Sequence, residues 1–249
     1  MPKFLHNSIF KQNNGFTLAE VLITLGIIGI VASLTLPSLV NKYRTKQLET
    51  GFKRTSSLVQ TALNTTAVEF GVGNFKEFND ICGNLPESQT NKCVNENKDY
   101  FQKINDDFLS RFNKLKKTSQ YHFNYNGVKV YPFSGDKSDI TYYGNLYGLS
   151  TQYSNGLYYL PDGSAITGLQ FYHHGKYDGI SLTFDTNGPQ KGPNRYGYDI
   201  FLYNTGTWYK VCSKTTSAIP TGTSRGCYDY ALKDVNPSDR TKSYWKSLY

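Results

Sequence analysis

The sequence has no phosphate-binding loop, no C-x-x-C pair and no G-x-S-x-G elbow. Nucleotide hydrolysis, zinc binding and serine hydrolysis are thereby left without their usual signatures. Histidine is scarce: beyond the first few residues only His122, His173 and His174 occur, and no nucleophile or acid–base set accompanies them. An enzyme is not expected. Repeats, low-complexity tracts and flexible linkers are also missing. Charged residues make up 18% of the 249 residues while aromatics reach 15%. Disordered chains show the opposite balance, so the chain folds.

What is present begins at the N-terminus. Residues 1–15 are polar and basic, with Lys3, His6 and Lys11 and no acid. From Phe16 to Val40 a single charge occurs, Glu20. As a helix rising about 1.5 Å per residue this stretch spans roughly 38 Å, more than the ~30 Å hydrocarbon core of a bilayer. A secretory signal also has a basic start and an apolar run, but that run covers only about 7–15 residues and carries no carboxylate. Glu20 asks for a partner, since an ionised acid in a membrane helix costs on the order of 2.5–3.5 kcal/mol. No Lys or Arg follows it within twenty residues. Either the partner comes from elsewhere or Glu20 sits harmlessly among lipid headgroups. Lys42, Arg44 and Lys46 follow the apolar run as closely as Lys11 precedes it, so counting basic residues does not orient the helix.

Gly15-Phe16-Thr17-Leu18-Ala19-Glu20, the apolar run and Pro37 resemble the N-terminal signature of type IV prepilins and type II secretion pseudopilins. The resemblance covers about 55 residues. It implies cleavage by a prepilin peptidase between Gly15 and Phe16 and methylation of the new Phe16 amine. Without Lys3 and Lys11 the 27 basic residues fall to 25 against 19 acidic ones, a net +6. The resemblance further implies a structural subunit of a pilus or secretion pseudopilus. Its expected partners are sibling pilins or pseudopilins, an inner-membrane assembly platform, and membrane lipid before assembly. The expected location is the inner membrane, single-pass with the head outside the cytoplasm, and then the filament. Glu20 is expected to pair with the Phe16 amine of a neighbour. Gly26, Gly29 and Pro37 are expected to soften the helix, although glycine is also simply tolerated in membrane helices.

The organisation expected is a leader (1–15), a transmembrane and polymerisation helix (16–40) and an α+β head (41–249). Leu48, Phe52, Val59, Leu63 and Phe70 continue the helix to Gly71-Val72-Gly73, for about 50 residues in all. Tyr100, Ile104, Phe108, Phe112 and Leu115 predict a second amphipathic helix with a basic end at Lys114, Lys116 and Lys117. Beyond Tyr121 the pattern becomes antiparallel strands: a hairpin at Asn126-Gly127, then Leu157–Leu160, Ala165–Tyr172, Ile180–Phe184, Tyr198–Tyr203 and Trp208–Cys212. A long helix covering one face of that sheet gives the pilin-like fold.

Cys82, Cys93, Cys212 and Cys227 are even in number and lie in two local pairs, which favours two disulfides and an oxidising compartment. Three connectivities exist; nearest-neighbour pairing is expected, with buried free thiols as the alternative. Asp185, Asn187 and Asp199 bracket a Gly/Pro-shaped loop. Two readings stand: an Asx turn capping its own backbone, or a loop of hard oxygen ligands for Ca²⁺, which loosely resembles the calcium loop of major pseudopilins. A rival function is a minor pilin whose Tyr121, Tyr125, Tyr142, Tyr143 and Tyr147, near Lys129 and Lys137, stack nucleic-acid bases or engage a surface.

Overall fold

The structure is a computed structural model; it describes residues 15–83, 85–118, 127–135, 140–142, 156–172, 179–206, 211–214 and 225–249. The chain divides into two compact units, one up to Tyr43 and one from Arg44 to Tyr249. Helix α1, Leu18–Glu69, runs through both. In the first unit it is a single helix whose large apolar side chains are exposed along its length.

In the second unit α1 buries Leu48, Phe52, Thr55, Ser56, Val59, Ala62, Leu63, Thr66 and Ala67. Their three- and four-residue spacing puts them on one stripe, which faces the core. Gly71 ends the helix with φ +69°, and the Val72 amide donates back to the Ala67 carbonyl at 3.0 Å, a closing turn that favours glycine. Short helices α2 (Asp80–Gly83) and α3 (Glu87–Glu96) follow, then α4 (Lys98–Ser110).

The expected second helix is therefore shorter than its periodicity suggested. It stops at Ser110; Lys114 takes a positive φ of 56°, and Lys116–Thr118 form strand β1. Pairing of Lys116, Lys117 and Thr118 with Tyr159, Tyr158 and Leu157 draws the basic residues out of the helix. Tertiary strand pairing overrides the local pattern here.

Strands β2 (Lys129–Val130) and β3 (Thr141–Tyr142) form a small antiparallel pair. The residues expected to pair across Asn126-Gly127 lie outside those described. The main sheet is antiparallel, built from β1, β4 (Leu157–Tyr159), β5 (Ala165–Thr167), β6 (Gln170–Tyr172), β7 (Gly179–Asp185) and β8 (Ile200–Asn204). Both β5 and β6 pair with β7, β8 lines the other side of β7, and β4 joins β5 to β1. The sequence suggested one strand over Ala165–Tyr172. Instead the register steps between Ile166–Phe184 and Gln170–Ser181, so residues 167–169 face only 182–183, a β-bulge. Two side chains satisfy the displaced backbone: the Thr183 amide donates to Thr167 Oγ1 at 2.9 Å, and the Leu169 amide donates to Asn105 Oδ1 at 2.9 Å. Asn105, on α4, is buried, so the bulge is capped from the helix that covers it.

The core centres on Phe52. Its ring lies 4.4 Å from Phe201, 5.4 Å from Trp245, 5.6 Å from Tyr228 and 6.0 Å from Phe184. Tyr228 belongs to α5 (Tyr228–Lys233), and Trp245 donates its indole N–H to the Ala231 carbonyl at 3.1 Å. The C-terminal 25 residues thus complete the core, a role the sequence pattern did not reveal. At the far end of α1, Thr66 donates to Asp107 at 2.7 Å and Arg111 pairs with Asp107 at 2.6 Å. Asp107 thereby ties α4 to α1.

Candidate functional site

The first turn of α1 is organised by Thr17 and Glu20. The Thr17 amide and hydroxyl donate to Glu20 Oε2 at 2.8 and 2.7 Å, and the Glu20 amide donates to Thr17 Oγ1 at 3.3 Å. This is a reciprocal capping box, T-x-x-E. The sequence reading sought the carboxylate's partner elsewhere; the structure also supplies a neutral one three residues away. Thr-x-x-Glu spacing was the signal available. Phe16 and Leu18 are exposed, as are Ile23, Ile27, Ile30 and Leu34. Hydroxyls in this stretch turn inward: Thr24 donates to the Val21 carbonyl, Ser33 to Ile30 and Thr35 to Val31. That leaves an apolar exterior suited to lipid or to other apolar helices. Pro37 lies within α1, and a Cβ at Gly26 or Gly29 would meet nothing within 4 Å.

Residues 10–36 match the family model described as the prokaryotic N-terminal methylation motif. The chain carries a prepilin-type signal. Comparison with curated proteins and with solved structures brings no match. The motif supports a type IV pilin-like or pseudopilin precursor. Its apolar helix is long enough to cross a membrane and fits membrane anchoring before assembly.

The head of this prepilin-type chain places Asp185, Asn187 and Asp199 around the β7–β8 connection. Asp185 ends β7 opposite Ile200, and the Thr186 amide donates to the Asp199 carbonyl at 2.9 Å. Asp185 Oδ1 accepts from the Asn187 and Gly188 amides at 3.0 and 2.8 Å, which is the Asx turn. Asp199 accepts from the Asn194 and Arg195 amides, both at 2.7 Å. Gly188, with φ +82°, passes so near the Gly163 carbonyl that an added Cβ would clash. Only glycine fits there. Both aspartates are buried. Burial, and then the charge of Asp185, pushes the Asp199 carboxyl well above its usual range.

The same loop carries two further oxygens. Asn187 and Asn194 donate their Nδ2 groups to the Gly192 and Pro189 carbonyls, each at 3.2 Å, which fixes the amide orientations. Their Oδ1 atoms are buried without a hydrogen-bond partner. Two carboxylates and two orphaned amide oxygens are hard donors of the kind Ca²⁺ takes, so the residues fit such an ion. No group of three acidic, His or Cys side chains suited to a metal occurs among the described residues, so amide oxygens are needed to complete the set. Sequence reasoning did not single out Asn194; its position five residues before Asp199 was the available signal.

Disulfides join Cys82 to Cys93 and Cys212 to Cys227, linking α2 to α3 and the 211–214 segment to the start of α5. Of the Tyr-rich surface considered for nucleic acid, Lys129 and Tyr142 are register partners in the β2–β3 pair. Tyr121, Tyr125, Tyr143, Tyr147 and Lys137 lie outside the described residues, as do His122, His173 and His174.

Proposed function

We propose that the chain is a structural subunit of a type IV pilus or type II secretion pseudopilus. A prepilin peptidase cuts it between Gly15 and Phe16, the Phe16 amine is methylated, and subunits pack through the Phe16–Val40 helix. The observation that carries this reading is an apolar helix surface left unburied by its own chain, in the segment that matches the methylation motif. Before assembly the helix anchors the subunit in the inner membrane with the head outside the cytoplasm; the assembly platform and sibling subunits then replace lipid. Cleavage creates a positive charge at Phe16, one residue before Thr17 and four before Glu20, the two ends of the capping box. A neighbour's Phe16 amine supplies the ionic partner that Thr17 does not, and such a desolvated pair sets register more than stability. Pro37, which lacks an amide donor, is a soft point for a helix that bends in a filament. The Asp185, Asn187, Asn194 and Asp199 oxygens hold Ca²⁺ and tie the β7–β8 loop down.

N-terminal sequencing of the mature protein should begin at methylated Phe16. Glu20→Val should enter the membrane at least as well as wild type, be cleaved normally, and be missing from sheared filaments. Glu20→Gln keeps an acceptor for Thr17 without the charge, and most assembly should still be lost. Wild-type amounts of Glu20→Val in the sheared fraction would rule out the carboxylate as a guide to polymerisation.

A further inference from the structure

The end of the head where α1 enters is cationic beyond what its own acids neutralise. From Arg44 to Arg54 the sequence holds Arg44, Lys46, Lys53 and Arg54 against Glu49 alone. Glu49 takes Lys46 at 3.3 Å and Lys53 at 2.5 Å, and Arg54 reaches Asp162 at 3.0 Å. The C-terminal segment converges on the same place. Trp245 packs on Phe52, and burial pushes the Tyr249 phenol up while the Arg44 charge opposes it. Lys214 Nζ donates to the Ser247 carbonyl at 2.8 Å, and burial, then the charge of Arg195, pushes its pKa down. Lys246 is exposed. Among the described residues, neither Arg44, Lys214 nor Lys246 has a carboxylate partner within ion-pair distance. Tyr249, beside them, stays 52% exposed. Basic residues mixed with an exposed tyrosine are the side-chain chemistry of a membrane–water interface. In sequence, Arg44 stands four residues after the apolar run ends at Val40.

We infer that Arg44, Lys46, Lys214 and Lys246 form a collar that binds anionic phospholipid headgroups and seats the unassembled head on the bilayer. The inference rests on the reading of the N-terminal helix as a membrane anchor. Exposed cations near an anionic surface are attracted strongly, and the attraction dies within a Debye length. The collar thus acts while the helix is in lipid and lets go once the subunit leaves the membrane plane. An otherwise puzzling feature acquires a use: basic residues follow the span as closely as they precede it, on the side where the head sits.

The full chain, reconstituted at one copy per nanodisc, tests this by lysine acetylation read by mass spectrometry. Discs contain phosphatidylcholine alone or with phosphatidylglycerol. Lys46, Lys214 and Lys246 should label roughly fivefold more slowly in the anionic discs, from about 1 kcal/mol per cation. Lys98 and Lys103 on α4 serve as controls. That helix is tied to Thr66, 22 residues beyond Arg44, or about 33 Å along α1. Salt at about 1 M, where the Debye length is about 3 Å, should remove the difference. Arg44→Gln with Lys246→Gln should weaken it for Lys46 and Lys214 while leaving incorporation unchanged. Equal labelling in the two discs, protection that survives salt, or protection of Lys46 and Lys214 that the double substitution does not lower overturns the collar. A chain that does not enter the discs at all refutes the anchor reading, which is a separate result.

Discussion

Withdrawing calcium from the Asp185–Asp199 loop should make the stability of the head fall as pH rises, opposite to the usual carboxylate behaviour. The ordinary aspartate value is 3.8, and that of Asp199 is raised well above it by burial and by Asp185. Below about 3.8 both folded and unfolded chains hold the proton, and the contribution of Asp199 is intact. Above it the unfolded chain ionises first while the folded chain keeps its proton. Stability then drops by up to about 1.4 kcal/mol per pH unit until the folded value is passed. On the proposed reading, calcium is what neutralises the pair. At a hundredfold excess over its dissociation constant it restores about 2.7 kcal/mol, or roughly 5–11 °C in Tm for a unit of this size. Calorimetry of residues 44–249 between pH 5 and 8, in chelator and in calcium, reads both effects. Asp199→Asn should abolish the calcium response and flatten the chelator profile relative to wild type. It should also cost about 1–3 kcal/mol, because an amide accepts only one of the two N–H groups that Asp199 satisfies. Parallel chelator profiles for the two proteins, with no calcium response in either, would refute the reasoning.

Three further outcomes are expected from the head. Asn105→Leu leaves the Leu169 amide buried without an acceptor and should cost about 1–3 kcal/mol, seen as a lower Tm; an unchanged Tm would mean that the bulge is capped otherwise. Phe52→Ala empties the aromatic centre and should cost about 3–5 kcal/mol, measurable by denaturant titration; a loss under 1 kcal/mol would show that the rings repack. Replacing Cys212 and Cys227 together by serine opens a loop of 15 residues and should cost about 3 kcal/mol in the chain-entropy model; non-reducing peptide mapping of the wild type should show the same pair linked.

Features set by local chemistry could be read from the sequence. Leu48 to Leu63 repeat with helical spacing and Gly71 stops them, so the extent of α1 followed. Alternation and turn dipeptides placed β4, β7 and β8 within two residues. Features set by distant partners could not. Gly168, inside the Ala165–Tyr172 run, is the one local hint of a bulge, while the group that satisfies it, Asn105, is 64 residues away. Lys116 and Lys117 read as a helix end until Tyr158 and Tyr159 claim them. Trp245 and Tyr228 show no periodicity, yet they close over Phe52. Around the candidate calcium loop, residue types gave Asp185, Asn187 and Asp199. Asn194 needed the fold, since only there is its oxygen seen to be buried and unpartnered.

The position of Phe52 also sets a clock. Its ring partners are Phe184, Phe201, Tyr228 and Trp245, so the last of them is made 193 residues after it. At about 5–20 residues per second of synthesis, roughly 10–40 s pass between the two. Until β8 is made at Asn204 the stripe from Leu48 to Ala67 has no sheet to cover it, and contacts so distant in sequence are slow to form. On the proposed anchoring, a half-made subunit is a membrane-bound helix trailing a second apolar face. Such a face is drawn to the lipid interface, which on that reading should keep newly made subunits apart while their apolar surfaces are least protected.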